Sequence, residues 1–231
     1  MRSVPDRTTE PNRTTEPDRT TGVVSAPWVA TARYDIDPAP GSLGLVQDLL
    51  NTISAGVPRQ PDLLDDPTSA TAWAHDAASR WSTATGRPAP EVTLDDAGLQ
   101  ALRSFRDELR EASDARLRGT PDVEPLVSEV PDRAPSGWRT AGATLRVGRN
   151  GSVHLDPAGA GADLLISLVL AALFEAQLAG VRRRLKTCRN PRCGVAFYDR
   201  SNNNSGAWHS VRVCGNAVNL RAHRARRRQV D

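Results

Sequence analysis

CRNPRCGVAFYDRSNNNSGAWHSVRVCGN, residues 188–216, contains all three cysteines of the chain: Cys188, Cys193 and Cys214. Disulfides use cysteines in pairs and a structural zinc needs four ligands, so three cysteines predict a fourth ligand of another kind. His209 is separated from Cys214 by four residues, the same spacing that separates Cys188 from Cys193. The pattern C-x4-C-x15-H-x4-C predicts a zinc site formed by Cys188, Cys193, His209 and Cys214.

Three other interpretations of these residues stay open at this point. The cysteines could be unrelated buried side chains, or water or His223 could complete a three-cysteine site. A catalytic zinc would need an open coordination position and a nearby general base. Four ligands leave no open position, and Asp199 is the only acidic residue nearby. We therefore expect a zinc with a structural role, in a protein that is not an enzyme.

The residues around the ligands predict a knuckle, a hairpin and a helix, the arrangement of a treble-clef zinc finger. Pro191 and Gly194 favour a tight turn at the first two cysteines. The segment VAFYD alternates like a strand, RSNNNSG predicts a loop, and AWHSVRV predicts the returning strand. An arginine-rich helix is expected to begin just after Cys214, and the aromatic side chains of this module are expected to form its small core.

The charges of the chain are strongly segregated. Residues 181–231 contain thirteen Lys and Arg against two acidic residues, a net charge of +11, whereas the first 180 residues have a net charge of −8. A basic module on an acidic body predicts contact with a polyanion such as DNA. The candidate nucleic-acid-binding residues are Arg212, Arg221, Arg224, Arg226, Arg227 and Arg228. The alternative is a protein-interaction module that docks onto an acidic partner or onto its own acidic body.

The remainder of the chain predicts a mainly helical body with one small β element. Residues 1–28 contain a polar, proline-containing hexapeptide repeat that cannot bury a core, which predicts a disordered tail. Apolar residues recur at helical spacing in 43–53, and a proline-rich stretch at 120–137 predicts a loop with a short helix around VEPLVSEV. Alternating apolar residues on both sides of RNGS, at 145–147 and 153–155, predict a hairpin. An apolar helix is expected over 162–179.

Two further helices have clear start signals. Asp66 or Thr68 is expected to cap a helix whose Trp73 and Ala77 face inward. Thr93 or Asp95 is expected to cap the next helix, which should end at Gly119. Its predicted buried face consists of Leu99, Leu102, Phe105, Leu109 and Ala112. The expected fold class is therefore α+β: a mainly α body with a small hairpin over 29–180, followed by a treble-clef-like finger over 181–231.

Nothing in the sequence predicts export or membrane insertion. Residues 1–21 have no apolar stretch typical of a signal peptide. The apolar run at 164–174 is about half as long as a membrane-spanning helix, and Asp163 and Glu175 flank it. We therefore expect a cytoplasmic protein, in which clustered cysteines more often bind a metal than form disulfides.

Residues 181–228 resemble the CGNR zinc finger, which has a C-x4-C knuckle, a Phe-(Tyr/Val)-Asp strand, a Ser- and Asn-rich loop, a Trp-Cys pair and a Cys-Gly-Asn-Arg signature. Here His209 follows Trp208, so histidine occupies the cysteine position of the Trp-Cys pair. The body resembles the ABATE domain that precedes this finger, since LVQDLLNTI is similar to its Asp-Phe-x-Asn-Thr motif and DLLDDPTSATAWAHD to its next helix.

The resemblance implies a stress-related transcription regulator with a structural zinc. We hypothesise a DNA-binding regulator whose helical domain binds a small-molecule ligand or forms a homodimer. Two departures weaken the expected contact with DNA, because Ala217 replaces the signature arginine and Asn219 replaces a lysine that is usual two residues later.

Overall fold

The computed structural model describes residues 27–117 and 140–227, which form six α-helices and two antiparallel two-stranded sheets. The helices are α1 (Val29–Ala32), α2 (Leu43–Leu50), α3 (Pro67–Thr85), α4 (Asp96–Leu117), α5 (Gly161–Leu178) and α6 (Asn216–Arg227), and the strands are β1 (Ala143–Val147), β2 (Val153–Pro157), β3 (Leu185–Thr187) and β4 (Ala196–Tyr198). The predictions for residues 1–26, the short helix within 120–137, Gly119 and Arg228 lie outside the described residues. The predicted class, a mainly helical α+β body followed by a zinc finger, is confirmed.

Helix α2 lies at the centre of the body and is buried on every side. All eight of its residues are buried, because α1, α3, α4, α5 and β4 surround it. The sequence predicted a single apolar stripe reaching Ile53, but the helix ends at Leu50 and Ile53 packs against the finger instead. Trp28, assigned by sequence to the tail, is also part of this core and is 7% exposed.

The two predicted helix starts each use one of the expected caps. The Asp66 carboxylate accepts a hydrogen bond from the backbone N–H of Ser69 at 2.8 Å, and Asp95 Oδ1 accepts one from Gly98 N–H at 2.7 Å. These bonds satisfy amide groups that have no partner within the first turn of a helix. Gly86, with φ +69°, ends α3 in the left-handed conformation that glycine adopts at low cost.

Helices α4 and α5 complete the core around α2. Leu99, Leu102 and Phe105 of α4 are buried as predicted, whereas Ala112 is exposed because the inward face ends about one turn earlier. Helix α5 is the one described helix whose length and apolar composition would allow it to cross a membrane, and 56% of it is buried inside the protein. Its burial against α2 and α4 fits the core helix expected from the sequence.

The predicted hairpin forms, but its apolar face is exposed. Leu145 pairs with Leu155 and Val147 pairs with Val153, so these four side chains share one face. Leu145, Val147 and Val153 are 70%, 74% and 67% exposed. The Ser167 hydroxyl of α5 connects the hairpin to the body by donating to Gly142 O at 2.7 Å and accepting from Ala158 N–H at 3.2 Å.

The strand pairing within the finger differs from the prediction. Strand β4 pairs with β3, which precedes the first cysteine, and the segment around Trp208 forms no strand. The free edge of β4 is already occupied, because the Asn51 side chain bonds both the N–H and the C=O of Ala196. The amide side chain of the residue that follows α2 therefore takes the place that the returning strand was expected to fill.

Candidate metal centre

The four predicted zinc ligands come from three different pieces of backbone. Cys188 directly follows β3, and Cys193 closes a turn in which its N–H donates to Asn190 O at 2.8 Å. Cys214 lies in a single π-helical turn, Val211–Gly215, that leads into α6. His209 precedes this turn on an irregular stretch, so the chain must fold back across the finger to bring all four together.

The geometry of these side chains fits a tetrahedral zinc site. One donor atom from each of the four residues lies within 4.8 Å of all the others. The His209 Nδ1 atom is 3.4 Å from Cys193 Sγ and 3.8 Å from Cys214 Sγ. A tetrahedral zinc, with bonds of about 2.3 Å to sulfur and about 2.0 Å to nitrogen, separates those donors by about 3.5 Å. The set of three thiols and one imidazole is typical of closed structural zinc sites.

The electrostatics of the cluster favour a bound cation. The three cysteines are buried, and His209 is half-buried. The hydrogen bond from the Cys193 thiol lowers the pKa of Cys188 to about 4. The same hydrogen bond raises the pKa of Cys193, and burial raises that of Cys214. Ionisation of all three thiols would bring three like charges together, and a divalent cation that replaces the thiol protons offsets that repulsion.

Asn190 and Arg221 form a second layer around the cluster. The Asn190 side-chain amide donates to Cys214 Sγ at 3.3 Å, and its carbonyl oxygen accepts from Arg221 Nη2 at 2.7 Å. Such outer hydrogen bonds orient a metal ligand and adjust its charge. The sequence placed Arg221 among the nucleic-acid-binding residues, but in the structure its guanidinium group is bonded within the finger. Asn190 was not predicted, although it lies inside the quoted stretch between the first two cysteines.

Asp199 holds the loop that connects β4 to the second pair of ligands. Its carboxylate is 4% exposed and accepts hydrogen bonds from Lys186 Nζ at 2.7 Å, Gly206 N–H at 2.6 Å and Ser201 N–H at 2.9 Å. Burial opposes ionisation of this group, but the bonds from Lys186, Ser201 and Gly206 together lower the pKa of Asp199 below its ordinary value. Asp199 therefore organises the loop that leads to His209.

The aromatic residues of the finger serve mainly as its core. Phe197 is 7% exposed and lies in a small cluster with the three cysteines, and half-buried Trp208 packs against that cluster. Tyr34 and Ile53 from the body pack against the same cluster. The apolar core of the finger is thus completed by residues that are distant in the sequence.

The body holds the finger through side chains that bond its backbone. Asn51 Oδ1 accepts from Ala196 N–H at 2.8 Å, and Asn51 Nδ2 donates to Ala196 O at 2.9 Å. Arg110 of α4 donates to Leu50 O at 2.8 Å and to Gly194 O at 2.7 Å, which connects the end of α2 to the knuckle. The finger is therefore attached to the end of α2 and to α4 by specific contacts that are buried or partly buried.

The motif that contains Asn51 has two structural roles. Asp48 accepts hydrogen bonds from Thr31 N–H at 2.7 Å and from Trp73 Nε1 at 2.9 Å, so it holds α1 and α3 against α2. Burial raises the pKa of Asp48, and these two bonds oppose that effect. One turn further on, Asn51 binds the finger. A short polar motif at the end of a buried helix thus joins both parts of the protein, which the sequence alone did not indicate.

The predicted nucleic-acid-binding arginines fall into two groups. Arg221 is half-buried and bonded to Asn190, as described above. The others within the described residues, Arg212, Arg224, Arg226 and Arg227, are exposed. These four lie on the π-helical turn and on α6, so the metal centre fixes the start of the helix that presents them.

A mainly helical domain that holds a basic finger with a Cys3His metal site defines a two-part zinc-finger protein. The sequence model of the CGNR zinc-finger family matches residues 184–227. The model of the ABATE family, described as "Putative stress-induced transcription regulator", matches residues 43–180. Because that match covers more than half of the chain, the protein belongs to the ABATE family, and its metal centre is that of a CGNR zinc finger. A search of curated proteins found no match.

Proposed function

We propose that this protein is a DNA-binding transcription regulator in which zinc positions α6 against the phosphate backbone. The observation that carries the proposal is the group of exposed arginines beside the metal centre: Arg212, Arg224, Arg226 and Arg227. Within the described residues, none of these four guanidinium groups has a hydrogen bond or an ion pair. Arginine binds phosphate oxygens through two parallel hydrogen bonds. Four available guanidinium groups on one small module therefore favour binding to a polyanion.

The zinc has a structural role in this proposal. Three thiolates and one imidazole fill a tetrahedral coordination shell, which leaves no position for a substrate or an activated water. A module of about fifty residues buries too little apolar surface to fold alone, so metal binding would supply much of its folding free energy. We accordingly propose that the protein is not an enzyme.

Contact with DNA is favoured over a function in which the basic finger docks onto its own acidic body. The finger is attached to the body mainly by bonds from Asn51 and Arg110 to backbone atoms, and neither interaction uses an arginine of α6. One ion pair between the two parts, Arg200 with Asp37, has a distance of 3.7 Å, and both side chains are exposed. An exposed pair of this kind contributes little to affinity, so the arginines of α6 are left for another partner.

Salt-dependent binding to a generic DNA duplex tests the proposal. Fluorescence anisotropy at several salt concentrations gives the slope of log affinity against log salt, which is about −0.9 for each phosphate contact. The double variant Arg224→Gln, Arg227→Gln should reduce the magnitude of that slope by about 2. The matched control is Arg146→Gln, Arg149→Gln, which removes the same charge from the hairpin. Absence of binding at low salt, or equal effects of the two double variants, would refute the proposal.

The expected homodimer and the cytoplasmic location stay predictions. Light scattering coupled to gel filtration measures the oligomeric state. If a dimer is found, the exposed hairpin face with Leu145, Val147 and Val153 is the surface to mutate. A small-molecule ligand of the helical domain also stays a prediction.

A further inference from the structure

A cavity of about 230 Å³ lies between the helical domain and the finger. Its apolar lining comes from both parts, with Val46 and Leu50 on α2, Leu109 on α4, Leu173 on α5 and Leu185 on β3. An apolar cavity of about 150 Å³ is large enough to hold benzene. This cavity therefore has room for one ring, or a short chain, with a small polar substituent.

The charged lining of this cavity is entirely cationic. Arg182, Arg183, Lys186 and Arg189 contribute to it, and no acidic residue lines it among the described residues. Lys186 already has a counter-charge, because its Nζ atom is 2.7 Å from Asp199 Oδ2. The guanidinium groups of Arg183 and Arg189 have no hydrogen bond or ion pair within the described residues. Two guanidinium groups beside an apolar surface thus have no partner among the residues that the structure describes.

Other cavities in the described part of the chain differ in charge. One is lined by Glu175, a second by Asp95 and Asp163, and a third by Asp199 together with other carboxylates. Carboxylates on those walls offset any nearby arginine. The positive charge of the cavity between the two parts is therefore a local feature and not a general property of the surface.

Asn204 adds an unpartnered acceptor to the same cavity. Its Nδ2 atom donates to Arg183 O at 3.4 Å, which orients the amide, and its Oδ1 atom is buried without a hydrogen-bond partner. Buried polar atoms in folded proteins are nearly always paired. A donor group on a bound molecule is one means of pairing this oxygen, so Asn204 is a second and independent indication of a ligand.

We propose that this cavity binds a small organic anion with an apolar body, of the size and chemistry of an aromatic carboxylate. The anionic group would bind Arg183 and Arg189, and the apolar body would contact the leucine and valine side chains. A DNA phosphate would satisfy the arginines but leave the apolar lining unfilled, which is why a small amphipathic anion fits better. Since α2, α4, α5 and β3 all contribute, the ligand would contact the helical domain and the finger at the same time.

Three probes that separate charge from apolar surface test the proposal on the zinc-loaded full chain without DNA. Benzoate has both features, benzyl alcohol has the ring without the charge, and inorganic phosphate has the charge without the ring. Calorimetric titration should give saturable binding of benzoate, at least about tenfold tighter than either other probe, because a charge-assisted hydrogen bond and apolar burial act together. Equal binding of benzoate and phosphate, or no binding of benzoate, would overturn the proposal.

Two variants place the binding in this cavity. Arg183→Gln with Arg189→Gln should weaken benzoate binding about tenfold or more, and both positions are on the surface of a finger whose zinc content can be checked by mass spectrometry. Ser113→Trp on α4 should abolish binding by filling the cavity with an indole ring. The control Arg146→Gln, Arg149→Gln removes two charges elsewhere and should leave benzoate affinity unchanged.

The same variants distinguish this inference from the proposed contact with DNA. If the two arginine substitutions weaken DNA binding and leave benzoate binding unchanged, these cations belong to the DNA surface and the ligand site is refuted. If benzoate binds as expected and the chain fails to bind DNA, the proposed function fails while the ligand site stands.

Discussion

Replacement of Asn51 tests whether one buried amide holds the finger to the helical body. Asn51 is 0% exposed and makes two short bonds to Ala196, together with a weaker one from Nδ2 to Thr31 Oγ1 at 3.3 Å. In Asn51→Ala the Ala196 N–H loses its acceptor, whereas Ala196 O keeps a contact with Gln47 Nε2 at 3.4 Å. The variant therefore leaves one buried donor unpaired and opens a small polar cavity.

The size of the effect follows from these contacts. An unpaired buried backbone N–H costs about 1–3 kcal/mol, and the lost bond to the carbonyl adds about 1 kcal/mol. We expect Asn51→Ala to lower the free energy of unfolding by about 2–4 kcal/mol, a large part of the stability of an ordinary domain. Asn51→Asp keeps the shape but turns a donor into an acceptor that faces Ala196 O. The buried carboxylate has no counter-charge, so this variant should be the less stable of the two, about 3–5 kcal/mol less stable than the wild type.

Two measurements distinguish an effect on the stability of the body from an effect on the stability of the finger. Urea denaturation followed by tryptophan fluorescence gives the free energy of unfolding, and transfer of zinc to a coloured chelator gives the stability of the finger. Because Asn51 bonds a strand that leads away from the knuckle, both the unfolding free energy and the zinc retention should fall. Asn202→Ala is the matched control, since Asn202 is exposed and has no bond within the described residues. If Asn51→Ala stays within about 0.5 kcal/mol of the control, Asn51 does not attach the finger.

Three further substitutions test the metal centre and its surroundings. His209→Ala should lose the tightly held zinc that native mass spectrometry counts in the wild type, and an unchanged stoichiometry and affinity would mean that another residue is the fourth ligand. Asn190→Ala should weaken zinc binding about 10- to 100-fold in a chelator competition, because it removes the N–H bond to Cys214 Sγ; an unchanged affinity would contradict that role. Asp199→Asn should be less stable than the wild type at neutral pH, and urea midpoints should converge as the pH falls well below 3.8, the ordinary pKa of this group. The sign follows from the lowered pKa of Asp199, since its contribution to stability is present above the unfolded value and is lost as the folded carboxylate becomes protonated. A difference that persists unchanged at low pH would contradict the charged interaction.

The sequence predicted those parts of the fold that depend on local patterns. Helix starts at Asp66 and Asp95 follow from capping chemistry, and the β1–β2 hairpin follows from apolar alternation around a turn. The metal ligands were predictable because zinc restricts both the type and the number of residues, so three cysteines and one histidine at matched spacing leave few arrangements. In each of these cases, the residues that produce the signal lie within about thirty positions of one another in the chain.

Contacts between distant segments were not predictable from the same patterns. The return segment at Trp208 alternates as a strand would, yet it forms none because the Asn51 side chain already occupies the edge of β4. Arg221 looked like any other arginine of a basic helix, and only the fold brings it to Asn190. Similarly, Arg183, Arg189 and Asn204 meet Val46 and Leu50 only after the finger packs onto α2. Periodicity describes one element at a time and contains no information on which elements meet.

The departures from the family signature affect α6 and leave the metal centre unchanged. Ala217 lies half-buried one turn before Arg221, on the first turn of α6, and Asn219 is exposed. Neither residue is a zinc ligand, nor does either hold the finger to the body. The bonds among Cys214, Asn190 and Arg221 remain complete without the signature arginine. The substitutions therefore remove positive charge from the helix start while the fold of the finger is retained. The proposed contact with DNA then depends on arginines further along α6, and Arg224 and Arg227 are the residues whose loss should weaken it most.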